Sequence, residues 1–340
     1  VNCVVQYSRM SYLLSRYLRE FLEYLEIEKN RSLQTVRNYD FYLGRFIEWF
    51  GDKKPEAVTT DKVREYRLWL NRLIDVHGDP LKKNTQNYHL IALRSFLKYL
   101  AKRDIASLTP EKIELMKMPD RQVSFLDGSD LSRLLEAPLA QMAAIRQGAA
   151  GNNTGGNLIK YRDKAALELL FSTGLRVSEL VGLKKSDVNL KKDEFTVTGK
   201  GRKTRVVFLS AQAKYWLKKY LDIRPDLNPF LFVSHDKRTG KRVKATKKGL
   251  EADEVPLTPR SVQRLVQRYA KAAGITKPVT PHTMRHSYAT DLLQNGADIR
   301  SVQAMLGHTS ITTTQIYTHI TDRELRNIHK KFHGKKRGSD

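Results

Sequence analysis

"TPHTMRHSYATDLL", residues 280–293, carries the punctuation of a helix start and ends on an apolar pair. Thr280 is a good N-cap, and Pro281 suits the first helical position, where its missing N–H costs nothing. His282 and Arg285 then stand three apart on one face. The unpaired N–H groups of a helix N-terminus attract anions, and a planar guanidinium fits phosphate oxygens. The stretch therefore reads either as a phosphate seat with an acid/base histidine beside it or as a capped helix with a stacked surface histidine. A metal site is a poorer fit. His282 and His286 are four apart, but the glutamate of a zinc-protease helix is missing.

Bulk composition narrows the partners. The 340 residues carry 61 Lys+Arg against 36 Asp+Glu, a formal charge of +25, which suits a polyanion. A membrane surface is the rival. Against it, no apolar run approaches ~20 residues, no signal-peptide pattern opens the chain, and the basic residues are spread throughout. With 40% hydrophobic residues the chain can bury the cores of two domains. The single cysteine, Cys3, leaves no disulfide framework and no cysteine zinc site, so a reducing, cytoplasmic setting is the default. Residues 1–107 hold 19 Lys+Arg and 13 Asp+Glu, 108–124 balance at zero, and 125–340 carries the remaining +19. Charge alone would also suit a merely soluble basic surface.

Working back along the chain, the first hundred residues predict four helices. Their stripes are Leu14, Leu18, Phe21, Leu25; Val36, Tyr39, Leu43, Phe46, Phe50; Val63, Tyr66, Leu70, Leu73; and Leu90, Leu93, Leu97, Leu100. Lys82, Lys83, Arg94 and Lys98 lie off the last stripe as candidate DNA contacts, although a solvated face explains any one of them. Pro110 and Pro119 mark a linker at 108–124. Beyond it, helices are predicted at 130–135, 161–172, 177–183, 211–221, 260–273, 283–294 and 298–306, with a further segment bearing Tyr317. "EFTVTGKGRKTRVVFL" alternates on both sides of a Gly-Lys-Gly turn and predicts a hairpin, and "PFLFVS" a short strand. Residues 138–157 and the seven-Lys/Arg segment 235–256 read as loops.

Three more stretches carry chemistry: "STGLRVSELVGL" (172–183), "VTGKGRKTR" (197–205) and "LGHTSITTTQIYTH" (306–319). Glu179 follows Arg176 by three and can lock its guanidinium in one orientation. An ordinary helical ion pair, worth ~0.3–0.5 kcal/mol, is the plainer reading. Lys200 sits between two glycines, where backbone can approach DNA, but the P-loop spacing is absent. Two arginines, one lysine, two histidines and a tyrosine, with no carboxylate cluster, suit metal-free phosphoryl transfer. A tyrosine is a usable nucleophile where a cationic pocket lowers the cost of its anion.

In spelling and order the four stretches resemble the tyrosine recombinases of the phage-integrase family, especially the Xer type. The family pattern Arg, Lys, His-x-x-Arg, His, Tyr reads here as Arg176, Lys200, His282-Thr283-Met284-Arg285, His308, Tyr317. The resemblance implies a mainly α fold with a small β-sheet: a SAM-like helical core-binding domain at 12–107 and an α+β catalytic domain at 125–320. Residues 1–11 and 321–340 would be tails, with no arm-type domain in front.

It implies further that Tyr317 attacks a DNA phosphodiester to give a 3′-phosphotyrosyl bond and a free 5′-hydroxyl. Arg176 and Arg285 would hold the phosphate, Lys200 act as general acid, His282 as acid/base and His308 as hydrogen-bond donor. Glu179 would support Arg176, and Arg202, Lys203 and Arg205 would add DNA contacts. No metal or other cofactor is implied. Expected partners are double-stranded DNA, three more copies (or a related recombinase) on two sites, and a DNA-translocase activator, in a nucleoid-associated setting. The tail would dock on a neighbour through Leu325 and Ile328. The expected role is resolution of chromosome or plasmid dimers, with a mobile-element integrase as the alternative. A type IB topoisomerase shares the chemistry but not the spelling. A binding protein with a dead site conflicts with six filled positions, and an RNA-binding protein would not need Tyr317.

Overall fold

The computed structural model describes residues 12–74, 78–117, 124–146, 154–199, 203–224, 226–235 and 256–307, with backbone alone at 141–146 and 154–156. The chain divides into two compact units, residues 1–120 and 121–340.

Unit one is a helical bundle: α1 (Leu14–Glu26), α2 (Leu33–Phe50), α3 (Thr60–Arg72) and α4 (Lys83–Ala101). Ser32 and Thr59 cap α2 and α3 by accepting from the backbone N–H groups of Thr35 and Lys62. Helix α4 is the central element, packing against the other three. Leu14, Phe21, Leu43, Phe46, Tyr66, Leu70, Leu93, Phe96 and Leu97 are all buried, as the four stripes require. Lys82, Lys83 and Lys98 are exposed and Arg94 is half-buried.

The expected linker needs correction over its first half. Residues 105–117 lie against the bundle. Ile113 is buried after a single 3₁₀ turn begun by Pro110. Asn87 accepts from the Met116 N–H at 3.2 Å and donates to its carbonyl at 3.4 Å. Loss of helical period at the prolines thus marks a change of backbone, while the apolar side chains stay with the core.

Unit two contains α5 (Gly128–Arg146), α6 (Thr154–Thr173), α7 (Val177–Gly182), strands β1 (Glu194–Thr198) and β2 (Thr204–Phe208), then α8 (Ala211–Asp222), α9 (Pro259–Ala272), α10 (Pro281–Gln294) and α11 (Ile299–Leu306). The strands form an antiparallel hairpin with Phe195 opposite Val207 and Val197 opposite Arg205. Helix α6 is the spine, packed on α5, α8 and α10. The chain is thus mainly α with one small sheet, and no described helix is long and apolar enough to cross a membrane.

Two expectations fail here. The loop expected over 138–157 is largely helix, because α5 runs through Pro138 to Arg146 and α6 starts at Thr154. The segment after Pro138 is rich in Ala, Leu, Met, Gln and Arg, all strong helix formers. "PFLFVS" makes only isolated bridges, Lys184 to Phe230 and Val233 to Pro256, and is not a strand of the sheet. Most of the basic loop expected at 235–256 lies outside the described residues.

Two charged side chains of α6 are fully buried. Asp163 accepts from Arg162 Nε at 2.9 Å and Nη2 at 2.7 Å, from Tyr269 Oη at 3.0 Å, and from Arg268. It ties α6 to α9. Lys164, also fully buried, pairs with Glu136 at 2.7 Å and Glu168 at 2.8 Å and donates to the Leu135 carbonyl. A buried charge persists only when paired and hydrogen-bonded in this way.

Candidate active site

The start of α10 folds as its sequence dictates. Thr280 Oγ1 accepts from the Thr283 N–H, and Thr283 Oγ1 from the Thr280 N–H, both at 3.2 Å, with Pro281 at the first position. From this helix start the two candidate side chains part. His282 is exposed, its ring edge-on to His286 with centroids 4.7 Å apart. Arg285 is buried at 2% exposure.

Arg285 reaches two carbonyls far away in sequence. Its Nη1 donates to Gly174 O at the end of α6, and its Nη2 to Leu306 O at the end of α11. Gly174 adopts a positive φ of +58°, and a Cβ there would fall 2.5 Å from Tyr288 Cδ1. Only glycine lets the chain turn so close to α10.

Arg176 follows that turn and caps α7. Its Nη1 donates to Glu179 Oε1 at 3.0 Å, and its backbone N–H to Glu179 Oε2 at 2.8 Å. Its Nη2 points to Gly307 O at 3.4 Å. The side chain remains 32% exposed, enough for a ligand to reach it. Arg176 and Arg285, from separate motifs, thus converge on the consecutive carbonyls of Gly307 and Leu306.

Glu179 sits at the centre of this arrangement with a side chain only 5% exposed. Burial pushes its pKa up. Hydrogen bonds from Arg205 and Arg176, with the charge of Arg205, more than offset that and hold it at about 2. The carboxylate is therefore ionised throughout the neutral range. Burial raises the pKa of Tyr288.

Arg205 departs from its expected place on a DNA-facing surface. Its side chain is 8% exposed, and its fork spans both oxygens of Glu179 at 2.9 and 2.8 Å. Its Nε donates to Met305 O at 3.0 Å. Strand alternation carried the signal, since Arg205 is two residues before buried Val207 and opposite buried Val197. Lys203 is exposed near the hairpin tip. Lys200, Arg202, His308, Tyr317 and the tail residues Leu325 and Ile328 lie outside the described residues. Among the described residues no trio of His, Cys, Asp or Glu is placed to hold a metal ion.

Known families and proteins match the chain along most of its length. Residues 126–324 match the phage integrase family, and 18–104 the phage integrase N-terminal SAM-like domain. The chain is 36% identical over 320 residues to tyrosine recombinase XerD of Chlorobaculum tepidum, covering 93% of this chain and 95% of that one. It is 34% identical over 330 residues to tyrosine recombinase XerC of Thermodesulfovibrio yellowstonii, covering 93% and 96%. In fold it is similar to XerH site-specific recombinase bound to palindromic difH substrate, with a TM-score of 0.65 at 23% identity over 91% of this chain and 82% of that one. A lambda integrase dimer bound to a COC' core site gives a TM-score of 0.64 at 19% identity, over 90% and 77%. Matched over 18–104 and 126–324 by the family's two domains, and by relatives more than 30% identical along nearly their whole length, the chain belongs to the phage integrase family, as a site-specific DNA recombinase of the tyrosine type.

Proposed function

We propose that the chain cuts and rejoins double-stranded DNA at a specific site with Tyr317 as nucleophile. The observation that carries the proposal is the meeting of Arg176 and Arg285 on the turn that leads into residue 308. Two fixed guanidinium groups there can neutralise the non-bridging oxygens of a phosphodiester as charge builds during attack. The Tyr317 oxygen bonds to phosphorus, the bond to the 5′-oxygen breaks, and Lys200 protonates the leaving oxygen. His282 handles the tyrosine proton, and His308 donates to a phosphate oxygen. The 3′-phosphotyrosine keeps the bond energy, so reversal by a second 5′-hydroxyl rejoins strands without a nucleotide cofactor.

The similarity to XerD and XerC supports resolution of chromosome or plasmid dimers as the role. In this reading residues 12–107 form the core-binding domain, presenting Lys82, Lys83, Arg94 and Lys98 to one flank of the site, and 125–320 form the catalytic domain. Arg202 and Lys203 add backbone contacts. Four subunits, alone or with a related recombinase, bridge two sites in the nucleoid, exchanging tails at 321–340 and answering to a DNA translocase.

The test uses a nicked duplex carrying the site that the protein selects from genomic fragments. In EDTA the protein should form an SDS-stable adduct. Tyr317→Phe should abolish it while leaving binding intact, and an adduct that survives the substitution would overturn the assignment.

A further inference from the structure

We propose that Arg205 is a positioning residue for Arg176, setting the orientation of that guanidinium through Glu179 and anchoring both to the C-terminal end of α11. The proposal rests on the reading that Arg176 holds the scissile phosphate.

Glu179 alone does not fix Arg176. One of its oxygens meets the Arg176 guanidinium and the other the Arg176 backbone N–H, so a single hydrogen bond to the carboxylate leaves that guanidinium a freedom to swing. Arg205 removes that freedom. Its Nη1 and Nη2 meet the two oxygens in a parallel pair, at 2.9 and 2.8 Å, which fixes the plane of the carboxylate. The third donor, Nε, holds Met305 O at 3.0 Å. Strand β2, helix α7 and the end of α11 are thus joined through a single side chain.

The surroundings are shaped for that side chain. A Cβ on Gly199 would lie 3.1 Å from Glu179 Oε1, 3.5 Å from Arg205 Nη1 and 3.6 Å from Arg176 Nη1. A Cβ on Gly307, where φ is +63°, would lie 2.9 Å from Arg205 Cδ. The first glycine of "GKG" and the glycine of "LGH" therefore form two walls of the Arg205 slot. Lysine cannot reproduce the arrangement, because a point charge on a flexible stem cannot span two oxygens and a carbonyl together. Arg205 and Arg176 share Oε1 of Glu179, so the action of Arg205 on Arg176 passes through that carboxylate. Among the described residues, the charged groups facing Glu179 are Arg176 at the start of α7 and Arg205 from β2. The end of α11 contributes carbonyls to the two arginines.

The experiment compares full-length wild type, Arg205→Gln, Arg205→Lys and Glu179→Gln on the nicked duplex defined above. It measures equilibrium binding against salt, single-turnover adduct formation against pH, and thermal stability. Both Arg205 variants should bind with an unchanged salt slope and form adduct about 100-fold more slowly, the scale of loss expected when a reacting group is misplaced by about an ångström. Arg205→Gln should also acquire an acid limb that the wild type lacks. With the fork removed, buried Glu179 titrates at higher pH, and once neutral it no longer accepts from Arg176 in the same way. Glu179→Gln should lack that limb, and the double variant should be no slower than the slower single one. A salt slope reduced by about one, with bound protein cleaving normally, would make Arg205 a phosphate contact and overturn the proposal. Equal loss of binding, cleavage and melting temperature, without the acid limb, would reduce it to a structural brace. Wild type that forms no Tyr317 adduct would instead sink the functional reading itself, and that control separates the two failures.

Discussion

Arg176 uses Glu179 twice, donating its guanidinium to one carboxylate oxygen at 3.0 Å and its own backbone N–H to the other at 2.8 Å. The residue that orients the side chain is thus also the one that starts the helix. Glu179 has a pKa held at about 2, below the 4.5 of a free glutamate, so its stabilisation is complete above about pH 4.5 and is lost as pH falls through about 2. The full contribution is on the order of 3 kcal/mol. Urea unfolding of wild type and Glu179→Gln across pH 2–6 should show a stability gap that is widest above pH 4.5 and closes toward pH 2. A gap independent of pH would contradict the ion-pair account.

The two arginines of the proposed phosphate seat should separate in stability. Arg285 is buried and satisfies Gly174 O and Leu306 O, so Arg285→Gln leaves interior carbonyls short of donors, at a cost of about 2–4 kcal/mol. Arg176 is one-third exposed, and Arg176→Gln should cost about 1 kcal/mol or less. Both should lose adduct formation. Denaturant midpoints set beside adduct yields test the contrast.

Gly174→Ala meets both a positive φ of +58° and the Tyr288 ring, so it should destabilise unit two by about 2 kcal/mol or more. Gly182→Ala, with nothing within 4 Å of the new Cβ, should change stability by less than about 0.5 kcal/mol. Urea midpoints at constant m decide the matter.

Asp163→Asn breaks a fully buried carboxylate that accepts from Arg162, Arg268 and Tyr269. Leaving those cations without their partner should cost about 3–5 kcal/mol. Its binding of duplex DNA at low temperature, per folded molecule, should match wild type, which circular dichroism and titration together would check.

Binding of the selected duplex should fall steeply with salt. Alanine at Lys82, Lys83 or Lys98, all exposed on one helix or its cap, should lower the log–log slope by about one for each residue that meets a phosphate. An unchanged slope in all three would remove this face from the DNA interface.

The parts legible in the sequence were those set by local rules. The four bundle helices follow from the spacing of leucines and aromatics, the hairpin from alternation around a glycine turn, and the α10 start from Thr280 and Pro281. What escaped depends on groups that meet only after folding. Asp163 and Lys164 stand mid-helix like solvated charges and find their partners on α5 and α9. Alternation along β2 turns Arg205 inward, but only the folded chain brings Glu179 and Met305 to it as partners. The turn to Gly, Ala and Asn over 138–157 suggested a loop, but strong helix formers after Pro138 carry α5 to Arg146.

Gly174 is gripped twice by a single helix: Arg285 takes its carbonyl, and one turn along α10 the Tyr288 ring presses on its bare α-carbon. Advancing α10 by one turn, about 5.4 Å, would break both grips together. The helix is therefore keyed in register, like a tooth in a notch. Any movement of α10 along its axis has to carry the end of α6 with it.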